Sequence, residues 1–149
     1  QGSTLDMANF MQADLEKAYL GGVKSGRMAI FAEANLNGAN FEGSNFRNSI
    51  LPDASAQLTN FSSCDLRETV WTNADLSAAQ FLGATLMHAD FSYARLDAAN
   101  MAQADLYRAN LHGVHEAGTK WGGASLKAVQ RTDKKRLKGE RSFQPPQVK

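Results

Sequence analysis

The dominant feature of this chain is a five-residue repeat that runs without interruption from Thr59 to Leu111. Every fifth residue in the run is large and apolar, and the residue two positions before each of these is small. A period of five matches neither the helical period of about 3.6 residues nor the two-residue alternation of a β-strand. It predicts a solenoid of stacked units, because one large side chain per unit needs a neighbour above or below to be buried. The large positions are Phe61, Leu66, Trp71, Leu76, Phe81, Leu86, Phe91, Leu96, Met101, Leu106 and Leu111.

The register extends upstream and downstream of this run, with irregularities. An N-terminal block is out of phase by one residue, and the extra residue falls in Gly21–Arg27, which predicts a loop bulging from the array. Ala56 and Glu116 occupy large-residue positions. Because a carboxylate in such a position is costly unless it is paired, we expect the chain to leave the register around Gly113–Gly118. The N-terminal block consists of Leu5, Phe10, Leu15 and Leu20.

Folding the sequence at 20 residues places the large side chains in four columns. Aromatic residues concentrate in two of these columns, which favours a coil of four five-residue sides, since stacked aromatic rings gain more than their area alone provides. Asp or Asn often precedes the large residue, and such side chains bond nearby backbone and favour turns. The sequence predicts about six coils, hence a rod of about 29 Å at the spacing of hydrogen-bonded strands.

These units resemble the pentapeptide repeat family, whose pattern is Ala-Asp/Asn-Leu-x-x. The resemblance is carried by units such as Ala74-Asp75-Leu76-Ser77-Ala78 and Ala104-Asp105-Leu106-Tyr107-Arg108. It implies an all-β fold, a right-handed quadrilateral β-helix over residues 3–126. Residues 127–149 then form a basic C-terminal tail or cap. A solvated or partly disordered terminus is the simpler interpretation of this tail, and the alternative is a short helix over Thr132–Arg141 with Thr132 as its N-cap.

Charge is distributed unevenly along the chain. Residues 1–126 carry a net charge of −5, and residues 127–149 carry +6. No run of apolar residues is long enough to span a membrane. The single Cys64 cannot form an internal disulfide, which favours a reducing compartment and leads us to expect a cytoplasmic protein.

The sequence contains no recognisable catalytic constellation, and we expect neither a cofactor nor a metal ion. His112 and His115 lie beside Glu116, but a short pair of this kind is weak evidence for a metal site, and a plain surface loop is the simpler interpretation. Cys64 falls in a small inward position and is expected to be an inert buried thiol.

Two groups of outward residues are candidates for partner binding. Ile30, Ile50 and Val70 fall in one outward column where other units carry Asp or Asn, and an exposed β-branched ladder is typical of an interface. The alternative is that these side chains tuck partly inward. The second group consists of Arg47, Arg67, Tyr107 and Arg108, together with His88 and Lys127 and interrupted by Glu68. It suits an acidic partner or nucleic acid, and the alternative is a solvated face of mixed charge.

The sequence therefore predicts a non-enzymatic module for protein interaction or for spacing, built on a rigid rod. The family resemblance implies a bacterial protein and extends the expectation to a domain of a longer one, for example a secretion-associated protein. Another protein is the expected partner, nucleic acid is not, and the oligomeric state is left open. The family resemblance offers an alternative function: a topoisomerase-binding protein of the DNA-mimic type, related to the quinolone-resistance pentapeptide proteins. A body with a charge of −5 and a basic tail is a poor DNA mimic.

Overall fold

The computed structural model describes residues 2–142, which form a parallel β-helix followed by one α-helix. The β-helix contains isolated parallel bridges rather than long strands. From Ile30 onward each bridge joins residues 20 positions apart, as in Ile30↔Ile50 and Ile50↔Val70, and four bridge positions recur in every 20 residues. The predicted four-sided coil of 20 residues is therefore confirmed. Bridges continue to Asn110↔Gln130, so the division of the chain at residue 126 stays a prediction.

Each five-residue unit is a short extended piece followed by a two-residue turn. In the unit around Phe31, the Ala34 N–H donates to the Phe31 carbonyl at 3.0 Å and closes the turn. The second turn residue takes a positive φ, near 57–58° at Met28 and Glu33. The Asp or Asn before the large residue accepts a hydrogen bond from the first turn residue, as Asn35 Oδ1 does from the Asn37 N–H at 3.1 Å. The predicted turn role of these side chains is therefore confirmed.

The core consists of the large and small inward side chains stacked coil upon coil. Phe61 and Phe81 stack with ring centroids 5.1 Å apart, and Trp71 stacks on Phe91 at 5.8 Å. Trp71 is completely buried, and its indole N–H donates to the Thr69 hydroxyl at 2.7 Å, so the polar atom of the largest core residue is satisfied.

The phase slip near the N-terminus is a one-residue bulge and not the seven-residue loop that the sequence predicts. Bridges on its N-terminal side span 21 residues, as in Thr4↔Ser25, because Lys24 is an additional residue at the start of one side. Val23 remains buried, and Gly26 takes a position normally held by a large residue. The Phe46 ring of the next coil fills the vacated space, since a Cβ on Gly26 would collide with it.

The predicted loss of register around Gly113–Gly118 is wrong. The bridges Arg95↔His115 and Asn100↔Lys120 keep the 20-residue spacing through this segment. Glu116 is tolerated because the coil is the last one and its carboxylate reaches solvent, where Arg131 Nη1 pairs with Oε2 at 2.8 Å. The Arg131 guanidinium also lies over the Trp121 ring, 5.4 Å from its centroid.

The tail contains the short helix that the sequence offered as the alternative to a solvated terminus, with different bounds and a different cap. Helix α1 spans Lys134–Ser142. Asp133 is the N-cap, because its Oδ1 accepts hydrogen bonds from the Lys135 and Arg136 N–H groups at 3.0 and 3.1 Å. Thr132, the predicted cap, instead accepts a bond from the Gly113 N–H at 3.2 Å and ties the departing chain to the rod.

Both ends of the rod are less buried than its middle. Leu5, Phe10, Leu15 and Leu20 of the first coil are half-buried, as are Trp121 and Leu126 of the last. The large residues between them are almost completely buried.

Replacing Phe81 tests the stacked columns. Phe81 is completely buried and contacts the rings of Phe61, Trp71 and Phe91. We expect Phe81→Ala to lower the free energy of unfolding by about 3–5 kcal/mol, measured by denaturant titration. The neighbouring Leu82 is 43% exposed, so Leu82→Ala is the control and should cost little. A Phe81→Ala loss below about 0.5 kcal/mol, which is the scale of ordinary surface changes, would contradict the column assignment.

The bulge is tested at Gly26. We expect Gly26→Ala to destabilise the protein by about 1–3 kcal/mol, because the new methyl group must displace the Phe46 ring. Gly122, where a Cβ would meet nothing within 4 Å, provides the matched control as Gly122→Ala. The double variant Gly26→Ala with Phe46→Leu should recover part of the loss. Equal thermal melts of Gly26→Ala and Gly122→Ala would show that the Phe46 ring does not fill this space.

Candidate functional site

One corner of the rod places the aliphatic group, Ile30, Ile50 and Val70, beside two members of the second group, Arg47 and Arg67. In one coil, the turn residue Arg47 is followed by an outward residue, an inward residue and then the outward Ile50. The same order recurs one coil away in each direction, because the repeat is 20 residues. We call this surface the corner face; it consists of Arg27, Ile30, Arg47, Ile50, Arg67 and Val70.

The aliphatic half of the corner face is a continuous ladder. Ile30 pairs with Ile50 and Ile50 with Val70 through parallel bridges, and Asn9 and Asp90 end the ladder on either side. Ile50 is 37% exposed, while Ile30 and Val70 are half-buried. The side chains therefore face outward, although the two outer members are partly covered.

The arginine half of the corner face differs in its pairing from one coil to the next. Arg67 forms two bonds to the Asp65 carboxylate, at 2.6 and 2.8 Å. Burial opposes ionisation of Asp65, but the bonds from Arg67 outweigh it and hold the pKa of that carboxyl below its ordinary value. Arg27 pairs with Asp6 at 3.1 Å, and hydrogen bonds from Ser25 and Arg27 lower the pKa of Asp6 to about 2.

Arg47 is the exception in this column. Within residues 2–142 it forms no ion pair, and its buried Nε has no hydrogen-bond partner. A guanidinium in this state retains its capacity to bind an outside carboxylate. Sequence reasoning missed Arg27, although its place 20 residues before Arg47 was a signal that could have found it.

Tyr107 and Arg108 lie on the same side of the rod but outside the corner face. Met87 separates Tyr107 from Arg67 in the column of first turn residues. The Arg108 guanidinium lies 5.2 Å from the centroid of the Tyr107 ring, and His88 packs edge-on against the same ring at 6.0 Å. These residues form a separate aromatic and basic cluster, which the structure does not join to Arg47 and Ile50.

A second site, which the sequence did not predict, holds helix α1 against the rod. We call it the α1 dock; it consists of Tyr93, His112 and Glu140. The Tyr93 hydroxyl donates to Glu140 Oε2, and the same oxygen lies 3.1 Å from His112 Nε2. The Asp133 backbone N–H donates to His112 Nδ1 at 3.3 Å, so in this arrangement Nε2 carries the proton that is donated to Glu140.

The interpretation of His112 as part of a plain surface loop is therefore wrong. His112 is only 3% exposed, whereas His115 is exposed. Its partner Glu140 is 28 residues away and outside the repeat register, so no sequence period could reveal the pairing. The hydrogen bonds from Tyr93, Arg136 and His112 lower the pKa of Glu140 to about 2. A groove of about 510 Å³ lies between α1 and the rod, between Leu137 and the Thr72–Asn73 turn.

Cys64 lies in the environment of an inert buried thiol. Cys64 is buried, donates to the Phe41 carbonyl at 2.9 Å, and has its pKa raised to about 12 by burial, so a nucleophilic thiolate is excluded at neutral pH. Among the described residues, no cluster of three or more His, Cys, Asp or Glu side chains is arranged to hold a metal ion. Across residues 2–142 there is also no helix long and apolar enough to cross a membrane.

Comparison with known proteins agrees with this geometry. The family model for the pentapeptide repeat region matches residues 27–101, half of the chain. The chain belongs to the pentapeptide repeat family. Solved neighbours in this family form right-handed β-helices, which fits the four-sided coil seen here.

Among solved structures, the chain is similar to the pentapeptide repeat protein Rfr23 from the cyanobacterium Cyanothece 51142. The identity is 30% and the TM-score 0.61, over 62% of this chain and 63% of that one. HetL from Nostoc sp. strain PCC 7120, a protein involved in heterocyst differentiation regulation, is 28% identical over 83% of this chain and 63% of its own, with a TM-score of 0.31. QnrB1, a plasmid-mediated fluoroquinolone resistance protein, is 21% identical over 89% and 82%, with a TM-score of 0.43. The chain thus spans 63% of the length of the first two. No curated protein matches it significantly.

The α1 dock predicts an acid-sensitive attachment of the helix. The pKa of Glu140 is lowered from 4.5 to about 2, so its bonds stabilise the docked helix fully above pH 4.5 and are lost as pH falls toward 2. We expect the amide signals of α1 in NMR spectra to shift toward random-coil values across this window, while those of the rod change less.

A charge-neutral variant should imitate the acid state at neutral pH. Glu140→Gln removes the carboxylate that Tyr93 and His112 share, so trypsin should cleave after Lys134, Lys135 and Arg136 faster than in the parent protein. Glu42→Gln, which changes an exposed carboxylate on another side of the rod, is the matched control. Unchanged cleavage in Glu140→Gln would mean that other contacts hold α1.

Proposed function

We propose that this chain is a non-catalytic protein-interaction module whose corner face binds a partner protein. The observation that carries the proposal is the juxtaposition, on three consecutive coils, of an outward aliphatic ladder with a column of arginines. Most outward positions of this type hold Asp, Asn, Ser or Thr, whose side chains are well solvated. An aliphatic ladder gains free energy only when another surface covers it.

The chemistry of the corner face specifies what such a partner should present. Ile30, Ile50 and Val70 suit an apolar strip. Arg47, which forms no ion pair among the described residues and acts on Asp65 only through its charge, suits a carboxylate beside that strip. Arg27 and Arg67 are already paired with Asp6 and Asp65, so they attract a partner's carboxylate less strongly than Arg47 does. Their main contribution is to the shape of the surface that the partner contacts. An apolar strip with a carboxylate next to it is a protein surface rather than a nucleic acid, whose charges repeat without apolar side chains.

The rest of the rod supports this role by holding the face rigid. The Arg47 unit and the Ile50 ladder belong to one continuous backbone network, in which the Met28 N–H donates to the Arg47 carbonyl and the Ile50 N–H to the Ala29 carbonyl, both at 3.0 Å. A preorganised face loses little conformational entropy on binding. The proposal also includes a second role, spacing between flanking domains of a longer bacterial protein, for example a secretion-associated one. We further propose that the rod has about six coils and that the protein is located in the cytoplasm.

The proposal is tested by photo-crosslinking. A photoreactive amino acid placed at Ile50 should crosslink one partner in the cells that make the protein, while the same group at Leu82, which is 43% exposed on another side, should not. With the purified partner, Arg47→Ala should weaken binding roughly tenfold, as expected of a central interface arginine. Leu82→Ala should leave the affinity unchanged. Equal crosslinking at both positions would contradict a specific corner face.

The alternative function, binding to a topoisomerase as a DNA mimic, needs an acidic surface along the rod. The corner face instead contributes three guanidinium groups, and helix α1 adds exposed Lys134, Lys135 and Lys138 at one end. A DNA gyrase supercoiling assay separates the two functions. Inhibition or protection of gyrase by the chain, retained in Arg47→Ala, would favour the alternative.

A further inference from the structure

The aliphatic ladder of the corner face has apolar side chains along both of its flanks. Met7 and Met28 lie at the corner that carries the arginines, and Met11, Ala32 and Pro52 lie at the next corner along the chain. The side chains of Met7, Met11 and Met28 are 69%, 52% and 52% exposed. Apolar residues scattered singly over a surface are ordinary, but a contiguous strip of them marks a surface that another molecule covers.

The two margins of this strip carry opposite charges. The arginines of the corner face form one margin, which we call the arginine margin. The exposed Glu33 and Asp53 form the other, which we call the acidic margin. Within residues 2–142 the Asp53 side chain forms no hydrogen bond or ion pair, and Glu33 only accepts a bond from the Gln12 amide at 3.2 Å. Arg47 and Asp53 are therefore opposite charges of one coil, on opposite margins, and neither forms an ion pair within the described chain.

We propose that the partner of the corner face is a second copy of this chain. The two rods lie parallel and face to face, related by a two-fold axis that runs along the rods between the two ladders. The inference rests on the proposed function, because it assigns a partner to the same face. Half a turn about this axis carries the arginine margin of each copy over the acidic margin of the other. Each copy then contributes the same surface, as an isologous contact requires.

The charged residues match in this register. Arg47 of each copy lies opposite Asp53 of the other, so one complementary pair occurs twice. Arg27 lies opposite the partner's Glu33 in the same way, one coil along. Arginine binds carboxylates through charge-assisted hydrogen bonds, and both members of the Arg47 and Asp53 pair lack a competing ion pair within residues 2–142.

The apolar residues match in the same register. Ile50 lies near the axis and therefore contacts its own counterpart. Met7 lies opposite the partner's Met11, and the long Met28 lies opposite the partner's short Ala32. Methionine has a flexible thioether that fills irregular gaps, so these pairs bury apolar area without requiring an exact fit.

Charge distinguishes this arrangement from its antiparallel counterpart. The two ladders also meet if the second rod is turned end for end, but each margin then lies against its own counterpart. Arg27, Arg47 and Arg67 of one copy would face the same arginines of the other, and the acids would face acids. Juxtaposed like charges suppress such a contact. The parallel arrangement is therefore the one that the surface favours.

The size of the strip sets the expected strength of the contact. From Met7 to Val70 it covers four coils, and at a spacing of about 4.8 Å these extend only about 14 Å from the first rung to the last. Such a contact is at the low end of specific interfaces, so we expect a weak and reversible dimer.

Sedimentation equilibrium of the 149-residue chain tests the association. We expect the weight-average mass to rise with protein concentration and to level off at the dimer. Ile50→Asp should lower the association constant at least about tenfold, because it places two carboxylates at the axis. Leu82→Asp changes an exposed apolar residue on another side and should leave it unchanged. A chain that stays monomeric over the accessible concentration range, or that grows past the dimer, would overturn the proposal.

Charge reversal tests the register. Arg47→Asp alone and Asp53→Arg alone should each associate roughly tenfold more weakly than the parent chain, because like charges then meet at both copies of the pair. An equimolar mixture of the two variants should recover the parent affinity, since both pairs in a mixed dimer again join opposite charges. Arginine fits the turn position of Asp53, because Arg108 occupies an equivalent position with a φ of 56°.

Two charge reversals away from the strip are the controls. Lys120→Asp and Glu42→Arg change exposed residues on other sides of the rod and should leave association unchanged, alone or mixed. If the mixture of Arg47→Asp and Asp53→Arg associates no better than either variant alone, the parallel register is wrong.

The photoreactive group at Ile50 separates this inference from the proposed function. Crosslinking to a product of twice the mass of the chain supports both. A crosslink only to a different protein, together with a monomeric chain in sedimentation, would overturn the second copy as partner and leave the proposed function standing. The absence of any crosslink at Ile50 would overturn both.

Discussion

The backbone ladder between coils is the interaction on which the rest of this structure depends. Each turn places its second residue in the left-handed region, and within residues 2–142 eighteen of these residues are not glycine. That conformation costs about 1–2 kcal/mol for a residue with a Cβ. The hydrogen bonds between coils offset this conformational energy. They form because every corner has the same geometry, which aligns the N–H and carbonyl groups of adjacent coils. The inward columns of large and small side chains follow from this alignment.

Sequence periodicity was sufficient to predict the features that recur in every coil of the backbone ladder. The five-residue unit, the 20-residue coil, the inward columns and the turn role of residues such as Asn35 all recur, so each unit provides evidence for the next. The prediction that the chain leaves the register near Glu116 was wrong. It considered only that a carboxylate occupies a position usually held by a large apolar residue, and not that this position lies in the last coil, where the carboxylate reaches solvent. Arg131, fifteen residues later, provides the partner that a local reading could not supply.

Features that occur once were the least predictable from sequence. The bulge at Lys24 depends on a compensating pair, Gly26 and Phe46, in two different coils. The α1 dock joins His112 to a glutamate on a helix that follows no repeat. The corner face lies between these cases. Its residues are periodic and, except for Arg27, the sequence named them as candidates, but their adjacency around the turn becomes visible only when the coil is folded in three dimensions.

The two tryptophans lie in different parts of the rod, so their fluorescence reports separately on its middle and on one end. Trp71 lies in the central core, without water contact and bonded to Thr69, whereas Trp121 lies in the last coil beneath the Arg131 guanidinium. In a quasi-one-dimensional protein, each coil contacts only its neighbours, so fraying at an end and collapse of the middle are separate events. Fluorescence from single-tryptophan versions of this chain would therefore record the two events independently and show how many coils melt together.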